Sequence, residues 1–226
     1  MVRDVLGGDG IQMTDLTDHK GNAQEALAEW VAQKLRGRGY AASVAKDSRD
    51  ALSKVLELVP EGASVGIPGS VTLREIGLIE ALGKRGNRVI QHWGEMTPEN
   101  RKRALVEEIC ADVFVSSVNA ISQEGHIVNI DGTGNRVAGI SFGPGRLILV
   151  AGINKITWDL ESAIKRARSS AAPNGIRLNS PVPCSKTGVC VDCQIPERMC
   201  RVVSILERCP AGRDAHVIIV LQDLGY

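Results

Sequence analysis

Five of the six cysteines crowd into 26 residues, Cys184, Cys190, Cys193, Cys200 and Cys209, and the first four are spaced C-x5-C-x2-C-x6-C. Two thiolates two residues apart can grip one ion, and two more in a loop broken by Gly and Pro can complete its shell. Cys184, Cys190, Cys193 and Cys200 are therefore candidate ligands for zinc or an iron–sulfur cluster. Buried, inert cysteines are the competing reading, but in a reducing cytosol such a cluster serves metal or redox chemistry more often than disulfides. From Lys165 to Arg213 there are nine Lys and Arg against three Asp and Glu, a positive flank expected to attract thiolates and to lower thiol pKa values. Cys110 and Cys209 read as structural.

A second group suits anions. Gly66-Ile-Pro-Gly69-Ser70-Val-Thr72 lies between an aliphatic strand and a helix. Unpaired N–H groups at the helix start, the helix dipole and the two hydroxyls could hold a phosphate or carboxylate, with Gly66 and Gly69 allowing close approach. The ordinary alternative is a serine N-cap with turn glycines. No Walker A lysine follows, and G-x-G-x-x-G is absent. Glu75, one helical turn after Thr72, is a candidate base.

The third group is Asn119, then Asn135 and Arg136, then Asn154 and Lys155. Each follows an apolar strand, and parallel sheets bind ligands beyond the carboxyl ends of their strands. Asn135 and Arg136 could fix a carboxylate by paired hydrogen bonds, and Lys155 could supply a charge or a nucleophilic amine. Taken singly, such residues are usually turn formers or solvated charges. His19, His92, His126 and His216 share no ligand spacing, and none is given a role.

Positioning these groups falls to an alternation of strands and helices. Apolar residues at helical spacing run from Asn22 to Arg36 and from Arg49 to Leu58, with a strand over Tyr40–Ala45 between them. A strand from Ala63 enters a helix lasting to about Leu82. Asn87–Gln91 follows as a strand, Pro98–Ile109 as a helix capped by Thr97, and Ala111–Ser116 as a strand. That rhythm predicts parallel βαβ units. Ala120–Ser122, Gly125–Ile130 and Val137–Ser141 read as short extended pieces of an antiparallel insertion. Arg146–Val150, a helix over Asp159–Arg168 and a strand over His216–Leu221 complete an α/β fold with a mostly parallel open sheet flanked by helices. Residues 1–20 read as a disordered lead-in, 21–226 as a single domain, and 171–213 as its cysteine-rich segment.

With 226 residues and 43% hydrophobic content the chain can bury a core, yet only 3% is aromatic, so that core must be aliphatic. A net charge of +1 and so few rings argue against nucleic acid, which needs a basic field and stacking platforms. The apolar runs are too short to cross a bilayer, so no membrane insertion is expected. The first 20 residues lack the apolar core of a secretory signal, and a cytoplasmic location is the default. The same scarcity of rings disfavours a stacked organic cofactor.

Taken in order, Gly66–Gly77, Ser117-Val-Asn-Ala-Ile121, Gly132–Val137, Phe142-Gly-Pro144 and Val150–Lys155 resemble the LUD (lactate-utilisation) domain family. The tail from Pro183 to Gly225 resembles its stand-alone branch with a cysteine-rich C-terminal segment. The resemblance implies a sheet like that of ribose-5-phosphate isomerase and CoA transferases, with Gly66–Thr72 in the place of their substrate loop. It also implies a link to L-lactate oxidation through iron–sulfur and flavin partner proteins. The reading that follows is a redox-accessory protein, if an enzyme then an oxidoreductase component, that binds a small anionic metabolite and carries a cysteine-ligated zinc or cluster and no other cofactor. The alternatives are a self-sufficient sugar-phosphate isomerase or CoA-ester transferase using Glu75 or Lys155, and a zinc-stapled, non-catalytic binding module.

Overall fold

The computed structural model describes the backbone of residues 13–226 and side chains from residue 19 onward. The chain runs α1 (Met13–Gly37), β1 (Ala41–Ala45), α2 (Ser48–Leu58), β2 (Ser64–Gly66), α3 (Val71–Glu75), α4 (Leu78–Lys84), β3 (Arg88–Ile90), α5 (Pro98–Cys110) and β4 (Val113–Ser117). It continues through β5 (Ala120–Ser122), β6 (Ile127–Asp131), α6 (Asn135–Ser141), β7 (Arg146–Gly152), a single 3-10 turn (Ile153–Lys155), β8 (Ile156–Thr157) and α7 (Leu160–Ser169). Then come α8 (Ala171–Arg177), α9 (Cys184–Thr187), β9 (Val202–Leu206) and β10 (Ala215–Val220). The first helix thus starts at Met13, not Asn22. The part of the expected lead-in before Met13 lies outside the described residues, and the remainder, Met13–Lys20, is helical.

The predicted α/β class is what forms. Six strands in the order β1-β10-β7-β4-β2-β3 make an entirely parallel sheet. Its central strands are continuous apolar runs because both faces are covered. In β7, Leu147, Leu149 and Ala151 face the core shared with α1 and α6, while Ile148 and Val150 face the core shared with α2, α3 and α4. Phe114 is fully buried on the first side, and a Cβ on Gly139 of α6 would overlap its ring.

A second sheet, β8-β5-β6-β9, packs beside the first. β6 is antiparallel to β5 and to β9, whereas β8 joins β5 in parallel. The expected antiparallel insertion is therefore present, with two corrections. Val137–Ser141 is not extended but lies in α6. Gly134, at φ +90°, turns the chain, and the Asp131 carboxylate accepts the Arg136 and Val137 N–H groups at 2.9 and 3.3 Å, fixing a helical start. The outer strand β9 comes from within the cysteine-rich segment, which sequence reasoning left without a strand. The helix expected to run unbroken to Leu82 is split at Gly77, whose φ of +71° ends α3 and begins α4. Among the described residues no helix is long and apolar enough to cross a membrane.

Candidate functional site

A cleft of about 480 Å³ opens at the carboxyl ends of β2, β4 and β7. After β2 the chain moves outward to β3, and after β4 it moves the other way to β7, so the loops following these neighbours diverge. Open parallel sheets bind ligands where that divergence occurs. The volume suits a small molecule.

Its floor is Lys155, held by the 3-10 turn after β7. The side chain is 3% exposed, and its ammonium donates to Thr72 Oγ1 and to Ser117 Oγ, each at 2.8 Å. Among the described residues no carboxylate pairs with it at ion-pair distance. Burial first, then the Arg166 and Arg136 guanidinium groups, push its pKa down to about 7, against a weaker opposing pull from Glu75. The amine is therefore poised between charge and neutrality at physiological pH.

One wall is the turn from β6 into α6. Arg136 donates through Nη2 to Asn119 Oδ1 at 2.9 Å and to the Ile130 carbonyl, and burial lowers its pKa. Asn119 is fully engaged, since its Oδ1 also accepts the Ile130 N–H and its Nδ2 donates to Ser170 Oγ at 2.7 Å. Asn135 differs, because its buried Nδ2 has no partner among the described residues. Trp93 also lines the cleft, and its buried indole N–H likewise has no partner among the described residues. Unpaired buried donors are costly, and both residues that carry them line the cleft. Arg101, Arg177, Arg198 and Arg201 add positive charge to the rim, against Asp131 and Glu197. Arg177 also lies over the Trp93 ring, 5.3 Å from its centre.

The structure thus gathers Gly69, Ser70, Thr72, Asn119, Asn135, Arg136 and Lys155 around one cleft. Three expected site residues lie elsewhere. Glu75 does not line the cleft, and its Oε2 accepts the Gly225 N–H at 2.6 Å. Asn154 holds the same strap, accepting the Leu224 N–H at 3.2 Å. Gly66 serves packing, for a Cβ there would overlap the Glu108 carbonyl of α5. Even Gly69, which does line the cleft, makes room for protein as well as ligand, because a Cβ would overlap the Trp93 indole. Ser117, Trp93, His92 and Arg177 were missed. Trp93 and His92 follow a three-residue strand and carry no motif.

The four candidate metal ligands also converge. Cys184, Cys190, Cys193 and Cys200 line one small pocket of about 20 Å³, and Cys200 borders the cleft as well. Among the described residues, however, no three His, Cys, Asp or Glu side chains stand at metal-coordinating spacing. The thiols share a pocket without forming a finished coordination shell. The expected lowering of thiol pKa is corrected. Burial, joined by the neighbouring cysteines, raises Cys184 and Cys200, and the nearby Arg198 and Arg168 offset this only in part at Cys200.

A family model described as the LUD domain matches residues 28–220. No curated protein matches the chain. Among solved structures, a DUF162 family protein from Deinococcus radiodurans is similar with a TM-score of 0.52 at 12% identity, over 87% of this chain and 98% of that one. Ribose 5-phosphate isomerase A from Neisseria gonorrhoeae matches with a TM-score of 0.33 at 23% identity, over 50% of this chain and 54% of that one.

Proposed function

The chain belongs to the LUD domain family, and on that footing we propose that it binds a small carboxylate- or phosphate-bearing metabolite, such as a 2-hydroxy acid, as a redox-accessory component of a lactate-oxidation-type complex. The observation that carries the anion is Lys155, a buried amine without an ion-pair partner among the described residues, at the base of a cleft lined by arginines and by Trp93 and Asn135, whose buried donors are unpaired there. A small anion would supply the acceptors those donors lack and the counter-charge the amine lacks. Calorimetric titration with L-lactate, pyruvate and inorganic phosphate tests this. At least one should bind the native protein and none should bind Lys155→Met. Failure of all three to bind the native protein would overturn the anion reading.

The redox half rests on the cysteine pocket. Cys184, Cys190, Cys193 and Cys200 would hold the metal, which would supply either a structural staple or an electron-transfer centre. At about 20 Å³ the pocket has room for one water-sized particle, which favours a single ion over a multi-iron cluster in this arrangement. The partners under this reading are iron–sulfur or flavin proteins. Metal analysis and absorption spectra of anaerobically purified protein decide the point, and a colourless protein free of iron and zinc would remove the metal from the proposal. The isomerase or transferase alternative loses Glu75 as its base, since that carboxylate is bound to Gly225.

A further inference from the structure

His92 and Glu108 take no part in the anion site as described, yet they form a buried pair on its wall. His92 Nδ1 and Glu108 Oε1 are 2.6 Å apart, with His92 6% and Glu108 0% exposed. Glu108 is the single buried residue of α5, while Val106, two positions earlier, is 59% exposed. An amphipathic helix ordinarily does the reverse. Burying a carboxylate is expensive unless it is paired, and Glu108 Oε2 has no partner, so His92 is the one hydrogen-bond partner of this carboxylate among the described residues. Glycine at position 66 is what lets α5 come close enough, because a Cβ there would overlap the Glu108 backbone.

This contact fixes the imidazole. In the neutral ring that donates Nδ1–H to Glu108, Nε2 carries the lone pair, and Nε2 forms no hydrogen bond with the described residues. His92 lines the cleft beside Trp93, with the two rings 4.9 Å apart, and Lys155 lines the same cleft. A carboxylate orienting a histidine whose second nitrogen can reach a ligand site is the arrangement that proton transfer requires.

The geometry points to His92, positioned by Glu108, as a proton-transfer residue acting on a small anion that carries a C–H bond next to a carbonyl, a 2-oxo acid or a keto phosphate. This rests on the anion reading of the cleft. His92 Nε2 takes the proton from carbon, the C–H electron pair becomes the C=C bond of an enolate, and the carbonyl π pair moves to oxygen, whose negative charge the cationic lining of the cleft, Lys155 and the arginines, offsets. Return of a proton from His92 restores the carbonyl. Between the two steps the imidazolium proton exchanges with water, so the net change in deuterium oxide is C–H to C–D, with no oxidant or reductant consumed.

Proton NMR in deuterium oxide with pyruvate as the carboxylate probe and dihydroxyacetone phosphate as the phosphate probe tests the assignment, with binding of each followed by saturation transfer on the same samples. The native protein should exchange at least one probe faster than buffer alone. His92→Gln should lower the rate about 10²-fold or more while leaving probe binding in place. Glu108→Gln should lower it less. It should also turn the single Nδ1–H tautomer of His92, read from ring nitrogen shifts, into a mixture, which a purely structural pair would not link to the rate. Binding without exchange, or His92→Gln exchanging at the native rate, overturns the assignment and leaves the anion reading standing. Failure of both probes to bind overturns the assignment, and the anion reading then stands or falls on the titrations with L-lactate and inorganic phosphate.

Discussion

Lys155 is the residue whose chemistry is most exposed to experiment. Its folded pKa of about 7 lies below the ordinary lysine value, chiefly through burial. Below that pH the amine is a cation and attracts the anion, and above it the attraction is lost. Affinity for pyruvate or phosphate should therefore weaken as pH rises through about 7, and calorimetric titrations on either side of that pH would show it. Affinity that holds constant across the range would mean that the arginines alone hold the ligand. Gly69 makes a separate prediction. With φ at +80° and the Trp93 indole where a Cβ would go, Gly69→Ala should cost about 2 kcal/mol or more in urea denaturation and should change Trp93 fluorescence. The sequence marked Gly66 and Gly69 as places where a ligand comes close to the backbone, whereas protein groups fill the space beside both. The groups that fill the space, Glu108 and Trp93, lie far along the chain and become neighbours only when α5 and β3 dock. Lys155, Arg136 and Thr72 were legible because each lies in or just beyond a turn that follows an apolar strand. His92 was not, since its partner sits on the buried side of a helix that otherwise reads as solvated.

At the level of elements, strands built from unbroken aliphatic runs could be placed from the sequence, as could helices opened by recognisable caps. Thr97 with Pro98 begins α5, its hydroxyl accepting the Asn100 N–H, and the Asp159 carboxylate accepts the Ser162 N–H to begin α7. The helix α6 escaped because its N-terminal acceptor precedes its N-cap, Gly134, by three residues. Asp131 reaches across the Gly-Thr-Gly turn to the Arg136 and Val137 N–H groups, and local pattern reading sees only the turn. Asp131→Ala should cost about 1–2 kcal/mol of stability, as loss of a helix cap does. Because α6 carries Asn135 and Arg136, it should also weaken anion binding, measurable in the same titration. Retained affinity would show that the wall holds without its cap. The strand β9 escaped for a different reason. Val202–Leu206 is short and sits in a stretch dominated by Cys, Pro and Arg, and its partner β6 lies far earlier in the chain.

Across the whole molecule the cysteine-rich segment is tied into both the second sheet and the cleft rim. Residues 198–200 border the cleft and the thiol pocket alike, and β9 follows directly. If the pocket holds a metal, its removal by a chelator should loosen this rim. The expected readouts are a lower Tm and weaker pyruvate binding, with both restored on adding zinc or iron back. A metal-containing protein whose Tm and affinity are indifferent to chelation would show that the segment stands without a staple. The order β1-β10-β7 has a further consequence, one of timing. Among the described strands β1 joins the sheet through β10, paired from Ala41 with His216 to Ala45 with Val220, so the earliest of them in the chain waits for the latest before it can enter the sheet. Contacts between such distant parts of a chain form slowly, because the loop between them must be closed first. A nascent chain carrying everything up to β9 would still hold β1 unpaired, its edge open to chaperones or to other chains. Pulse-labelled hydrogen exchange should find the β1 amides gaining protection together with those of β10, in the last kinetic phase of refolding.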